Sequence, residues 1–185
     1  AFRTDCRTIP ARGSYLVSDK RKRTIWKTRL GGKVPVVGLV WSGSRLHKND
    51  KNRSVNLDAL LEYMPTDVQL VSLQKEISAD DFDVIKKRAN LAHFGDELID
   101  FDDTAALCDV MDLVISVDTS VAHLSGALGK KTWVMLPYTP DWRWLLDRND
   151  SPWYPSMELF RQGVDRSWVP VFERIQGRLS GLFAA

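Results

Sequence analysis

Residues 113–123 read Leu-Val-Ile-Ser-Val-Asp-Thr-Ser-Val-Ala-His, and this stretch carries the clearest signal of the fold. Four of its first five residues are apolar and most of those are β-branched, which predicts a strand buried on both faces. The polar residues 118–120 follow, and an apolar repeat at helical spacing then begins at Val121 and ends at Gly129. A buried strand that turns directly into a helix is typical of an α/β domain.

The same alternation of strands and helices extends along most of the chain. Strands are predicted over 34–40, 68–73, 91–94, 113–117, 132–136 and 157–160. Helices are predicted between them, with N-caps at Ser54 and Asp103, and a closing helix over 171–183. Strand–helix–strand units join parallel strands through right-handed crossovers, so we expect a Rossmann-like three-layer α/β sandwich with a mainly parallel sheet.

The first 30 residues are basic, with nine Lys/Arg against two Asp/Glu, whereas the rest of the chain has a net charge of −5. The run Lys20–Arg23 fits two interpretations. It could bind nucleic acid or acidic lipid, or it could be the solvent face of a helix capped by Ser18. We favour the helix, because the run lacks the interleaved aromatic residues that single-strand binders use. Binding to nucleic acid is therefore not expected.

That helix would turn Ile25 and Trp26 inward and stop at the glycine pair 31–32. The pattern changes after this pair from a basic helix to alternating buried strands and helices. We therefore divide the chain into a basic N-terminal segment or linker helix over 1–32 and a Rossmann-like domain over 33–185.

The composition is that of an ordinary globular protein, with 185 residues, 44% hydrophobic and 27% charged. No apolar run approaches the roughly 18 residues that a membrane span needs. Cys6 and Cys108 are too few for a disulfide framework, which favours reduced thiols and a cytoplasmic location. The chain begins at Ala1 rather than Met, and we expect it to be a fragment of a longer protein.

Candidate ligand-binding residues follow the strand at 113–117, because ligands of parallel sheets bind beyond the carboxyl ends of the strands. Thr119 and Ser120 open a helix, where hydroxyl and N–H groups and the positive helix end could bind a phosphate. His123 lies one turn further and can reach the same anion, and Asp118 could accept hydrogen bonds from a sugar. The alternative is that Thr119 only caps the helix and that His123 is a buried, satisfied side chain.

Two other strand ends point to the same edge of the sheet. Residues 42–44 are Ser-Gly-Ser, and such small residues let backbone N–H groups approach an anion. The polar loop over 45–53 offers several cations, and Gln74 and Lys75 follow the second strand. Each of these segments is equally compatible with a solvated loop or with ordinary surface charge.

Several known site patterns are missing. No Gly-x-Gly-x-x-Gly or Gly-x-Ser-x-Gly motif occurs, which argues against a dinucleotide site and a hydrolase triad. Residues 126–132 resemble a phosphate-binding loop only faintly, because a second Lys breaks the motif and a helix precedes it. Asp-x-Asp occurs at 81–83 and 100–102, a match that arises by chance in acidic stretches. We expect neither a bound metal nor a resident cofactor.

A family resemblance rests on six segments. They are residues 37–43, 49–54, 72–75, 100–107, 112–129 and 140–155. Together they resemble the C-terminal domain of bacterial tetratricopeptide-repeat glycosyltransferases, which are related to lipopolysaccharide heptosyltransferases and more distantly to O-GlcNAc transferase. The resemblance extends over about residues 34–165, and its specific parts are Asp118-Thr119…His123 and the tryptophan-rich block.

The resemblance implies one half of a GT-B arrangement, in which two Rossmann-like domains face each other across a cleft. In that family the C-terminal domain binds the sugar nucleotide, and the N-terminal domain binds the acceptor and often carries the catalytic base. The chain resembles only the donor half. We therefore expect a donor-binding domain of a metal-independent, inverting glycosyltransferase that reaches its glycan or protein acceptor through a missing domain, with no catalytic base assigned.

The resemblance also assigns roles to single residues. Thr119, Ser120 and His123 would contact the diphosphate of the nucleotide sugar, and Asp118 would contact the sugar. The remaining expected contributors to the phosphate site are Ser42, Gly43, Ser44, Gln74, Lys75 and a cation from the first loop, either Arg53 or Lys51. Heptosyltransferases usually have Gly at the position of Ser120 and Lys-x-Trp-Pro in place of residues 51–54, so the donor sugar stays open.

Other interpretations of the chain, and two roles for its tryptophan-rich block, remain open from the sequence. The chain could be a non-catalytic interaction module that has kept the fold, or a fragment of a GT-B epimerase or phosphorylase. The tryptophan-rich block, with Trp142, Trp144, Trp153 and Tyr154, could stack on a base or acceptor or could be a rigid part of the structure. We favour the structural role for this block, because its four prolines stiffen the loop.

Overall fold

The computed structural model describes residues 5, 8–10, 13–44 and 48–183. Within these residues, six strands form one sheet. They are β1 (Val36–Val40), β2 (Gln69–Ser72), β3 (Leu91–His93), β4 (Leu113–Val117), β5 (Thr132–Leu136) and β6 (Met157–Arg161). The strand order is β3-β2-β1-β4-β5-β6, and every neighbouring pair of named strands is parallel. The predicted Rossmann-like α/β fold is confirmed.

Helices cover both faces of this sheet. They are α1 (Lys20–Leu30), α2 (Asp50–Arg53), α3 (Leu57–Leu61), α4 (Ala79–Lys87), α5 (Phe101–Asp109), α6 (Ser120–Ala127) and α7 (Val169–Leu182). From β1 the chain winds outward through β2 and β3, and then returns to the other side of β1 with β4. The order therefore reverses between β1 and β4, and the loops that follow these two strands diverge there.

The buried side chains form a layer on each face of the sheet. Alternate residues of β1 belong to different layers, because successive side chains of a strand point to opposite faces. Val37 and Leu39 pack with α3 and α7, whereas Val36 and Val40 pack with α1 and α5. All five residues of β1, and all five of β4, are buried. The two central strands are thus fixed from both sides.

Three predicted N-caps are wrong by one to three residues. The caps are Asp19, Asn56 and Asp100, rather than Ser18, Ser54 and Asp103. In each case the predicted residue has another partner. Ser18 is buried and its hydroxyl donates to Asp109, Ser54 bonds Gly43 and Asp50, and Asp103 accepts from the backbone N–H of Asp100. Where several candidate caps lie close together, the other hydrogen bonds that each can make decide which one caps the helix.

The basic helix α1 packs against α5. Trp26 and Leu30 are buried in the same layer as Leu107, whereas Ile25 is 64% exposed, so the prediction that Ile25 turns inward is wrong. The Lys22 ammonium lies 2.7 and 2.8 Å from two carboxylate oxygens of α5, and Arg23 bonds Asp109 at 2.8 Å. Part of the basic run therefore serves contacts within the molecule, and the predicted division at residue 32 stays a prediction.

Two further sequence predictions concern membrane-spanning segments and the cysteine thiols. No helix in the described part of the chain is long and apolar enough to cross a membrane. Cys108 is a free thiol buried within α5, and burial raises its pKa to about 12. This thiol is inert at neutral pH, because the thiolate is the reactive form. Cys6 lies outside the described residues.

Candidate functional site

Two cavities open beside the carboxyl ends of β1 and β4, where the strand order reverses. The larger has a volume of about 660 Å³ and lies towards the loop that follows β5. The smaller has a volume of about 440 Å³ and lies towards β2 and the start of α5. Arg53, Thr119 and Ser120 line both cavities, so these three residues form the wall between them.

The amino end of α6 lies at this wall. Thr119 occupies the N-cap position with extended backbone, yet its side chain makes no capping hydrogen bond. Its hydroxyl lies 3.2 Å from the Ser116 hydroxyl instead. The first N–H groups of a helix have no partner within the helix, and the positive end of the helix dipole lies there. The geometry therefore offers uncapped donors beside both cavities, which is a favourable setting for an anion.

Arg53 supplies positive charge at the same place. Its Nη1 donates to the Asp118 carbonyl at 2.8 Å, and its Nε lies 3.3 Å from an Asp50 carboxylate oxygen. The guanidinium lies directly on Gly43, where an added Cβ would be 2.3 Å from Nη2. Only glycine permits this approach. The guanidinium has five N–H donors and is always charged at neutral pH, so it can meet a phosphate while it keeps these contacts.

Gln74 holds the loop after β1 in place. Its carboxamide oxygen accepts from the backbone N–H groups of Trp41 and Ser42, both at 2.9 Å. Its amide nitrogen donates to the Ser42 hydroxyl at 2.9 Å and to the Glu76 carbonyl at 3.2 Å. Gln74 is also buried. These contacts satisfy much of its hydrogen-bonding capacity and give it a structural role that the sequence did not indicate.

The remaining predicted residues divide between two places. Ser42, Gly43, Ser44 and Lys75 line the smaller cavity, and the Lys75 ammonium donates to the carbonyl of Ile99 at 3.0 Å. Lys51 is exposed on α2 and lines a separate cavity of about 310 Å³. Lys51 and Arg53 both belong to helix α2, which was not predicted, and their side chains line different cavities. Of the two candidate cations, it is Arg53 that lines the same cavities as Thr119 and bonds the neighbouring Asp118 carbonyl. Residues 45–47 of the predicted loop lie outside the described residues.

His123 lies on the wall of the larger cavity. Its ring stacks on Trp144, with centroids 5.0 Å apart and planes inclined by 16°. Nδ1 lies 3.2 Å from the Tyr154 hydroxyl, and Nε2 lies 3.9 Å from a carboxylate oxygen of Asp118. Burial lowers the pKa of His123, and the nearby Asp118 opposes this shift. The ring is therefore neutral near pH 7 and has one N–H to donate.

The tryptophan-rich block contributes both to the core and to the wall of the larger cavity, and its stacking on a base or acceptor stays a prediction. Trp144 is fully buried under His123, which fits the structural interpretation. Trp142 is 65% exposed, and it meets Trp153 edge to face with centroids 6.1 Å apart. Both line the larger cavity together with Arg143, whose carbonyl accepts from the Trp153 indole N–H at 2.9 Å. Arg143 was missed from the sequence, although its place between two tryptophans could have indicated it.

Three of the four carboxylates in the Asp-x-Asp pairs have structural roles. Asp81 completes the capping box of α4, and Asp100 caps α5. Asp102 pairs with Lys22. No group of three or more His, Cys, Asp or Glu side chains that could hold a metal ion occurs among the residues that the structure describes.

Known proteins share parts of this sequence and fold. No protein-family model matches the chain. It is 28% identical over 193 residues to Protein FlbA of Caulobacter vibrioides, an alignment that covers all of this chain and 32% of FlbA. The chain thus spans about a third of the length of this curated relative.

Solved glycosyltransferases have the same fold. The structure of E. coli ADP-heptose lipopolysaccharide heptosyltransferase II matches with a TM-score of 0.63 and 14% identity, over 91% of this chain and 53% of that one. A glycosyl transferase family 9 protein of Veillonella parvula gives 0.59 and 11%, over 88% and 46%. E. coli heptosyltransferase WaaC with ADP-2-deoxy-2-fluoro heptose gives 0.55 and 11%, over 86% and 47%. The chain therefore shares its fold with about half of each of these glycosyltransferase structures. Its expected links to tetratricopeptide repeats and to O-GlcNAc transferase stay predictions.

Proposed function

We propose that this chain is the donor-binding half of a glycosyltransferase that uses a nucleoside-diphosphate sugar. The observation that carries the proposal is the wall of Arg53, Thr119 and Ser120 between two cavities at the point where the strand order reverses. A nucleotide sugar has a charged centre between two bulky ends, and this arrangement matches that shape. The likeness in fold to heptosyltransferases supports the same class.

Each part of the donor has a fitting place. The diphosphate would lie against the amino end of α6, between Arg53 and the uncapped N–H groups. The sugar would occupy the larger cavity, where Asp118 and Asp141 can accept from hydroxyl groups. The nucleoside would occupy the smaller cavity, where Ile99 and Phe101 offer exposed apolar surface.

The same residues account for the chemistry of group transfer. An acceptor hydroxyl would attack the anomeric carbon from the face opposite the phosphate, and the carbon–oxygen bond to the phosphate would break with inversion. The bonding electrons would go to the phosphate oxygen, where negative charge grows in the transition state. Arg53, the helix end and a hydrogen bond from His123 would stabilise that charge more strongly than in the ground state. We propose that these groups suffice without a metal ion.

The proposed enzyme also needs a second domain, which this chain does not supply. It would bind the glycan or protein acceptor and supply the base that takes the proton from the acceptor hydroxyl. This part is supported by the share of each heptosyltransferase structure that the chain covers, which is about half. We expect the chain alone to bind the donor but to transfer little or no sugar. A cytoplasmic location belongs to the same proposal and rests on the low cysteine content.

Calorimetric titration with UDP, GDP and ADP, and with the matching nucleosides, tests the donor site. We expect at least one nucleotide to bind at millimolar concentration or below. Arg53→Gln should weaken that nucleotide about 10-fold or more, because it removes charge-assisted hydrogen bonds. Thr119→Val should weaken it less, and nucleoside binding should change little in either variant.

Two variants on α1 serve as matched controls. Arg21→Gln and Thr28→Val remove the same groups from exposed positions outside both cavities, so nucleotide affinity should stay unchanged. The proposal fails if a folded chain binds none of the three nucleotides at millimolar concentration. Equal losses for nucleotide and nucleoside in Arg53→Gln would instead contradict the place given to the diphosphate.

A further inference from the structure

We propose that the indole of Trp142 is a stacking platform for the sugar of the donor, and that this sugar is a pyranose with an apolar face of C–H groups. Trp142 is then a binding residue that selects among donor sugars. The inference rests on the proposed function, which places the sugar in the larger cavity. The stacking of a pyranose on Trp142 is nevertheless measurable on the chain without any nucleotide.

A short 3₁₀ helix in the loop after β5, Trp142–Trp144, turns its two tryptophans to opposite sides. Trp144 is fully buried in a cluster with apolar residues of β5 and β6, whereas Trp142 is 65% exposed. The Asp141 carboxylate accepts from the backbone N–H of Arg143 at 3.0 Å and so caps this turn. The buried tryptophan therefore anchors the turn that holds the exposed one at the wall of the larger cavity.

Arg161, the last residue of β6, fixes the backbone that follows this turn. Its guanidinium donates to the carbonyl oxygens of Trp144, Leu145 and Arg148, at 2.6, 3.0 and 2.8 Å. Leu145 has a φ of 53°, a conformation that costs free energy for a residue with a side chain and that its surroundings must impose. The loop is thus formed before any ligand binds, so little ordering entropy opposes binding.

Two neighbours hold the Trp142 indole itself. The Arg143 guanidinium lies 4.9 Å from the centre of the indole and donates to the Asp141 carboxylate at 2.7 Å. Trp153 meets Trp142 edge to face, and its own indole N–H donates to the Arg143 carbonyl. These contacts hold the indole in one orientation, while its exposed fraction shows that much of its surface stays open. A fixed, open aromatic ring at the wall of a cavity is suited to stack on a ligand.

The other groups of the cavity favour a sugar over a nucleobase. Asp118 and Asp141 line the cavity together with Trp142, and carboxylates accept hydrogen bonds from hydroxyl groups. The C–H groups on one face of a pyranose are slightly positive, and the negative face of an aromatic ring attracts them. A sugar offers both kinds of surface in one molecule. An epimer with a hydroxyl group on that face would press a polar group against the indole, so the platform discriminates between epimers.

NMR of the indole N–H groups tests the stacking on the unliganded chain. The probes are the methyl glycosides of glucose, galactose and mannose at high millimolar concentration, and Trp142→Phe assigns the Trp142 signal. We expect at least one glycoside to shift the signals of Trp142 and Trp153. The signals of Trp26 and Trp133, which are buried outside the cavity, should stay unchanged. If no glycoside moves the Trp142 signal, the proposal fails.

The affinity for nucleotides and nucleotide sugars provides the second measurement. Trp142→Ala should weaken the hexose-linked form of the best-binding nucleotide about 10-fold, with the affinity for the free nucleotide unchanged. Trp142→Phe keeps an aromatic face and should weaken the hexose-linked form only about 3-fold or less. Phe82→Ala is the matched control and should change neither affinity. Phe82 is 46% exposed on α4, has the Lys86 ammonium 4.3 Å from its ring centre, and lies outside both cavities.

The outcomes separate the possible ligands of the indole. Equal losses for the free nucleotide and its hexose-linked form in Trp142→Ala would place the base on the indole. A Trp142 signal that glycosides move, with no loss of nucleotide-sugar affinity in Trp142→Ala, would assign the indole to the acceptor. Either result overturns the proposal. If no nucleotide and no nucleotide sugar binds, the proposed function fails, but the glycoside measurement still decides whether a pyranose stacks on Trp142.

Discussion

At the scale of single residues, the contact between Gly43 and Arg53 determines where positive charge lies in the proposed donor site. The guanidinium rests on the glycine and reaches across to the Asp118 carbonyl, 65 residues further along the chain. Gly43 lies in the loop after β1, Arg53 ends α2, and Asp118 directly follows β4. The absence of a side chain at residue 43 is therefore a requirement of the site rather than of the turn, because nothing strains the backbone at this glycine.

Gly43→Ala should lower nucleotide affinity while it leaves the free energy of unfolding nearly unchanged. The added methyl would displace the flexible end of Arg53 and break its bond to Asp118, so nucleotide affinity should fall about 10-fold. The free energy of unfolding should change by less than about 1 kcal/mol, because the guanidinium can move aside. Calorimetric titration and urea denaturation measure the two quantities.

Gly177→Ala is the control for this change. Residue 177 lies within α7 with nothing within 4 Å of an added Cβ. Alanine there should stabilise the protein by about 0.5–1 kcal/mol through helix propensity, without effect on nucleotide binding. A loss of stability in Gly43→Ala with unchanged affinity would show that Arg53 is not part of the donor site.

The sequence predicted those site residues that are contiguous in the chain. Thr119, Ser120 and His123 follow one strand and open one helix, so local spacing alone brings them to the same cavity. The choice between Lys51 and Arg53 could not be made, because it depends on a four-residue helix that the polar loop did not indicate. The role of Gln74 depends on the backbone N–H groups of Ser42 and Trp41, 32 and 33 residues away. A local sequence pattern cannot indicate such a distant contact.

At the scale of secondary-structure elements, the strands were easier to predict than the helix ends. The bounds predicted for β4 and β5 are those observed, since buried parallel strands are continuous apolar runs. Helix starts were displaced, because Ser18 and Ser54 are competent caps that bond other segments instead, and Asp103 is the third residue of a capping box that Asp100 begins. A residue type limits the possible partners, but neighbouring elements decide which partner is present.

The packing of α1 gives a prediction at this scale. Trp26→Ala should lower the free energy of unfolding by about 3 kcal/mol or more, because it removes a buried aromatic side chain between α1 and the sheet. Ile25→Ala, at an exposed position on the same helix, should change it by less than about 0.5 kcal/mol. Urea denaturation of both variants checks this. Equal and small effects would show that α1 unfolds separately from the rest of the protein.

At the scale of the whole molecule, the strand order creates a site with two ends. Because β1 is the first strand and lies in the middle of the sheet, the loops after β1 and β4 turn to opposite faces and leave a crevice between them. The amino end of α6 and Arg53 occupy the middle of this crevice, with one cavity on each side. A ligand with one charged group would use only the middle, whereas a nucleotide would extend into a cavity.

Amide NMR with two ligands tests this arrangement. Inorganic pyrophosphate should shift the amide signals of residues 119–123, because it can occupy only the charged centre. UDP, or whichever nucleotide binds best, should shift the same signals and also those of residues 74–76 and 98–101 around the smaller cavity. The difference between the two ligands identifies the nucleoside end, and the larger cavity should respond only when the donor carries its sugar.

The basic run on α1 provides the internal control for that experiment. Lys20–Arg23 is the strongest local concentration of positive charge in the sequence, but Lys22 and Arg23 are already paired with carboxylates of α5. Pyrophosphate should therefore leave these amide signals unchanged at physiological salt, where exposed charges are screened beyond about 8 Å. Shifts confined to residues 20–23 would show that the chain binds anions through surface charge alone, and that the crevice between β1 and β4 is not a phosphate site.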